Sequence, residues 1–227
     1  MFAGYQFLSP FEPPCYDYSS LESRSESAIN SELRSSSCIG ILLNNQQSHQ
    51  VYLSVDEPFT NRIQKDILGD ISDPSVEDWL TSIAKGAMEV AIEDTNSAQI
   101  SLVITGDDTI YSLNAQFRGL DEVTDVLSFS TKHGGHWEGE GNTPKDVTEF
   151  DFVMPPGEPF PLGEVIVSYP QAQRQVEERG GRLEHELALL VVHGVLHLTG
   201  HDHLEPNDTE LMQSRERAAL EKLNISA

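Results

Sequence analysis

From about residue 48 the chain alternates short runs of β pattern with longer stretches of helical period. "VYLSV" at 51 to 55 interleaves β-branched and aromatic residues with polar ones and predicts a strand. Val76, Trp79, Leu80, Ile83, Ala87, Val90 and Ala91 then recur on one face at a 3.6-residue period. Ser75 and Asp78 stand before them in the spacing of a capping box, so a helix is expected there. "ISLVI" at 100 to 104 predicts a second strand. "TGDDTIYSLNAQFRG" turns out of it into a short helix with Ile110, Leu113 and Phe117 on its inner side. "DVLSFS" at 125 to 130 and "GEVIVS" at 163 to 168 predict the third and fourth strands. A helix starts at about Pro170, where the first turn tolerates proline, and ends near "RGG". Two more run from about Arg182 to Thr199 and from about Pro206 to Leu223. Strands first and helices gathered toward the C-terminus predict an α+β fold with about four strands and about five helices.

Two segments stand outside this pattern. Residues 1–47 are rich in Ser, Glu, Asn and Gln without a sustained apolar period, and read as a disordered extension ahead of a domain over 48–227. A transit peptide is the competing reading of those serines, against which stand Glu12, Asp17, Glu22, Glu26 and Glu32. Residues 131–162, acidic and rich in Gly and Pro, far exceed an ordinary connection and read as a flap or an insertion. Its two histidines, His133 and His136, are expected to be exposed loop residues.

Composition narrows the class. No run of apolar residues is long enough to span a bilayer and no basic-then-apolar leader opens the chain, so a cytoplasmic protein is expected. Cys15 and Cys38 lack metal-ligand spacing, which argues against a thiolate site. The net charge of -23 is spread along the chain: Val76 to Ala227 holds 27 acids and 10 bases. A polyanion bound here must meet a local cation, a metal or a partner that supplies positive surface.

The chemistry concentrates in "HGVLHLTGHDH", which holds four of the eight histidines. The preceding helix is apolar nearly all round and must be buried. His193 and His197, one turn apart, project from the same side, about 5 to 6 Å between Cβ atoms. Gly200 lets the chain leave the helix and bring His203 back to the same point. Three imidazoles with a fourth tetrahedral position open are the donor set of a catalytic zinc. His201 reads as solvated or as a spare member of the site, and Asp202 either orients a ligand imidazole or caps the next turn. The spacing also matches the metzincin peptidase frame H-E-x-x-H-x-x-G-x-x-H, except that Gly194 occupies the position of the glutamate base. A metal lowers the pKa of water toward about 7 without that base, so hydrolysis survives while peptide hydrolysis weakens. Arg118 reads either as a bidentate phosphate clamp or as a surface cation paired with Asp121 or Glu122.

Together "HGVLHLTGHDH", "LNAQFRGLDEVTDVLSFS" and "LGEVIVS" resemble the YbeY family of bacterial endoribonucleases and rRNA maturation factors, over roughly residues 48 to 227. The resemblance implies a small mixed sheet packed with helices, with the metal in a cleft at its edge. It implies His193, His197 and His203 as zinc ligands, with His197 and Arg118 catalytic and Arg118 also binding substrate. The implied activity is single-strand-specific cleavage in small-subunit rRNA 3′-end maturation and ribosome quality control. The implied partners are an rRNA precursor and the small ribosomal subunit or its proteins, with no membrane and no nucleotide cofactor. His201 stands where a tyrosine is common in the family, and the 131–162 loop and the N-terminal extension are additions to its usual pattern. A metallopeptidase, or an assembly factor with a structural metal, are the alternatives.

Overall fold

Strand β1 (Gln50–Val55) leads into a short helix α1 (Phe59–Ile63) and a π-helical turn (Gln64–Leu68). Helix α2 (Val76–Ala91), strand β2 (Ala98–Thr105) and helix α3 (Asp107–Phe117) follow. Strands β3 (Val126–Ser130) and β4 (Phe160–Ser168) precede helices α4 (Tyr169–Arg179), α5 (Leu183–Leu198) and α6 (Pro206–Lys222). The computed structural model describes residues 49–69, 74–92, 97–133, 155, 157–203 and 205–226, all within the unit Gln47–Ala227. Residues 1–47, His136 and most of 131–162 lie outside the described residues.

The four strands form one mixed sheet in the order β1-β2-β4-β3. β1, β2 and β4 run parallel, and β3 is added antiparallel at the edge, with Leu127 opposite Ile166. Alternation divides each strand between two layers. Ile100, Leu102, Ile104, Val165 and Val167 join the large core formed with α2 and α5, whereas Leu127 and Ile166 meet Ile110 of α3 in a smaller one. α5 lies between the sheet and the helices α2 and α6, which is why its sequence needs no polar stripe. α6 buries Met212, Ala219 and Leu220. It is tied to α2 by Arg215 Nη1, which donates to the carbonyl of Val90 at 2.7 Å.

Local chemistry explains the helix starts. Ser75 Oγ accepts the Asp78 N–H at 3.1 Å and donates to the Asp78 carboxylate at 2.9 Å, so α2 begins at the expected box. Ser168 caps α4 the same way through the Gln171 N–H, with Pro170 in the first turn.

Three local expectations need adjustment. α1 and its π turn add to the five helices foreseen; they are too short to show a convincing period, although Phe59 and Ile63 are both buried. β4 starts at Phe160, three residues before the strand read from "GEVIVS", because Pro161 is accommodated beside a register shift between Gln99 and Ile100. Phe117 is 48% exposed instead of inward, its ring edge-on to Phe129 at 5.1 Å. No helix among the described residues is long and apolar enough to cross a membrane.

Candidate metal centre

The histidine helix is fixed to the edge strand by two hydroxyls. Ser128 Oγ donates to the Gly194 carbonyl at 3.1 Å and Ser130 Oγ to the Leu198 carbonyl at 3.0 Å. Two residues of strand advance about 6.6 Å and four of helix about 6 Å, so the spacings match. Between those anchors α5 comes so close that a Cβ on Gly194 would lie 2.5 Å from Val165 Cγ1 and 3.1 Å from Ser128 Oγ. A glutamate cannot stand there unless the Val165 side chain or the helix itself moves. The departure from the peptidase frame is therefore a packing requirement.

α5 ends as glycine-terminated helices do. Gly200 takes φ +89°, its N–H reaches the His197 carbonyl at 3.0 Å, and the His201 N–H reaches the Leu196 carbonyl at 3.1 Å. The ring of His133 packs over Gly200, where an added Cβ would meet it at 2.8 Å. Beyond the turn, Asp202 Oδ1 accepts the backbone N–H of His203 at 2.7 Å, and Thr209 of α6 donates to the His203 carbonyl at 3.0 Å. These bonds fold the chain back, and one ring nitrogen from each of His193, His197 and His203 lies within 4.8 Å of the others.

The ring nitrogens are arranged for a cation. The Nε2 atoms of His193 and His197 are 3.1 Å apart. Two nitrogens on one tetrahedral zinc, at bonds of about 2.0 to 2.1 Å, would be about 3.3 Å apart, so this pair fits a shared ion. His193 Nδ1 lies 2.8 Å from Glu216 Oε1 of α6. An ionised carboxylate only accepts, so in that contact Nδ1 donates, and in the neutral ring that tautomer leaves the Nε2 lone pair facing His197. Burial, then the neighbouring His193 and His203, push the pKa of His197 down to about 4, against the opposing pull of Asp202 and a backbone hydrogen bond to His201. His197 is neutral at pH 7, the form a metal requires.

A cavity of about 430 Å³ opens beside the triad, reaching His193 and His203. Leu189, Leu190, Val126 and Met212 line it, together with Arg179 at the end of α4. Arg118 is not among its lining residues: it caps α3, half-buried, with its N–H on the Asn114 carbonyl at 2.9 Å. The structure thus brings the three histidines together and leaves Arg118 outside that cavity. His201 joins the site through its backbone, and the carboxylate of Asp202 bonds the His203 backbone; the carboxylate on a histidine ring is Glu216.

Glu216 and Arg179 both line the cavity, and neither stands out in the sequence. Glu216 had a signal: it falls in the spacing Met212, Glu216, Leu220, a charge inside the buried stripe of α6. Arg179 had none, because only the packing of α4 against α5 sets it beside the cavity.

Fold and site define an α+β protein whose buried helix ends in a histidine triad able to hold a metal ion. The chain belongs to the YbeY family: the family model described as Endoribonuclease YbeY matches residues 59–224. An "Endoribonuclease YbeY" of Dehalococcoides mccartyi is 41% identical over 145 residues, 64% of this chain and 80% of that protein. One of Desulforamulus reducens is 35% identical over 169 residues, covering 73% and 96%. The solution structure of TM1509 from Thermotoga maritima aligns with TM-score 0.42 and 19% identity, over 77% of this chain and 91% of that one.

Proposed function

We propose that this chain is a metal-dependent, single-strand-specific endoribonuclease of the cytoplasm, with zinc on His193, His197 and His203. The observation that carries the reading is the convergence of three histidines whose two closest nitrogens are 3.1 Å apart, in a chain of a family described as endoribonucleases. Zinc held there would supply a Lewis acid for a phosphodiester and an acidified water. The protein's share is positional. Glu216 holds the His193 ring, the Schellman turn at Gly200 returns His203, and burial keeps His197 unprotonated. Arg118 is the proposed phosphate contact, a planar fork suited to two phosphate oxygens. The substrate in this reading is an rRNA precursor on the small ribosomal subunit, in 3′-end maturation and quality control. Residues 1–47 would be an extension and 131–162 an insertion that adjusts access.

Metal analysis of the purified chain should find about one zinc per molecule, and His197→Ala should lose both the metal and cleavage of single-stranded RNA. Cleavage at full rate after complete metal removal would sink the mechanism. Retained metal with no cleavage of any RNA would favour the assembly-factor alternative. The peptidase alternative has Gly194 against it, since that packing leaves no room for the glutamate base.

A further inference from the structure

The cavity beside His193 and His203 has an apolar floor of Leu189, Leu190 and Met212 and a polar rim. On that rim Arg179 and Gln213 are exposed and Glu186 is half-buried. None of these three side chains has a hydrogen-bonding or ionic partner among the described residues. Apolar walls with a few convergent, unengaged polar groups are the composition of a small-ligand site, and about 430 Å³ falls within the roughly 300 to 1,000 Å³ such sites occupy.

Charge decides what part of an RNA strand could enter. Asp125, Glu186 and Glu216 all line the space, so a phosphate inside it would meet three carboxylates. A nucleobase is neutral, has apolar faces for the leucines, and carries edge N–H groups for which Glu186 is an acceptor. A base within a duplex has to be unstacked and unpaired before it can be inserted, whereas a single strand can splay one out without breaking a pair. Arg179, on the last turn of α4, is an exposed cation at the edge of this cavity.

We propose that this cavity is the subsite for one unpaired nucleobase of the RNA strand next to the cleavage point, with Arg179 as the cation for the adjoining phosphate. The proposal rests on the endoribonuclease reading above and adds to it a physical origin for single-strand preference.

The test uses the full chain, metal-loaded, and a short single-stranded RNA cleaved at one position. Two further RNAs carry an abasic ribose on one or the other side of that position. One abasic RNA should lose about tenfold or more in kcat/KM, the usual scale for a base contact. Arg179→Ala should raise KM about tenfold on the intact RNA with kcat and metal content little changed. Gln213→Trp, at an exposed rim position, should do likewise by narrowing the mouth. If both abasic RNAs are cleaved within about twofold of the parent, the subsite is refuted while the nuclease reading stands. If the metal-loaded wild type cleaves none of the three, both fall.

Discussion

Glu216 is the residue whose meaning changes most between sequence and structure. Along the chain it is one acid among 37; in the fold its carboxylate sits 2.8 Å from a ring nitrogen of His193. Carboxylates in that position fix the ring and raise its basicity, and their loss typically weakens metal affinity by about 10- to 100-fold. Glu216→Gln keeps the volume and removes the charge. Chelator competition should show the variant's zinc affinity lower by about tenfold or more. An affinity equal to wild type would remove Glu216 from the site. The three histidines, by contrast, were legible without coordinates, because their relation is local: one helical turn and one glycine-terminated reversal set it. Glu216 lies 23 residues from His193, and Arg179 lies 14 residues before it on another helix, so no short-range rule could join them.

Helix α5 shows how an element's packing can select chemistry. Ser128 and Ser130 hold its carbonyls, and Gly194 lets it descend onto Val165. Gly194→Ala should cost about 1 to 3 kcal/mol, the range for forcing atoms into a filled core, despite alanine's better helix propensity. Urea denaturation of the metal-free chain would measure it. Adding Val165→Ala should make the double variant lose less than the sum of the two single changes, since the same space is contested. A neutral or stabilising Gly194→Ala would mean that the close approach is not a constraint. The long elements were legible at this scale because their periods run through many residues. The short α1, the extra residues of β4 and the outward Phe117 were not, since a handful of positions cannot outweigh the tertiary contacts that decide them.

For the whole molecule the governing quantity is the net charge of -23. A basic nucleic-acid binder loses affinity as salt rises, because counterions are no longer gained by release. Here two polyanions approach one another, and salt screens repulsion. Raising KCl from about 20 to about 150 mM should leave kcat/KM on short RNA unchanged or higher, because the screening length shrinks from about 20 Å to about 8 Å. A steep fall over that range would show that local cations such as Arg118 and Arg179 dominate the approach, and would remove the need for a positively charged partner.

Thr131 has a consequence of another kind. Its N–H bonds the Leu162 carbonyl at 2.9 Å and its hydroxyl the Pro161 carbonyl at 2.6 Å, while His133, two residues on, packs over Gly200. The chain leaving β3 and the chain entering β4 are thus clasped at one point, beside the turn that shapes the histidine triad. Closing a longer loop across a clasp costs only about 0.6 kcal/mol for each doubling of its length. Beyond His133, changes in the length of the intervening stretch are therefore expected to cost the clasp and the triad little over evolutionary time, a place where the molecule could acquire new recognition while its chemistry stays fixed.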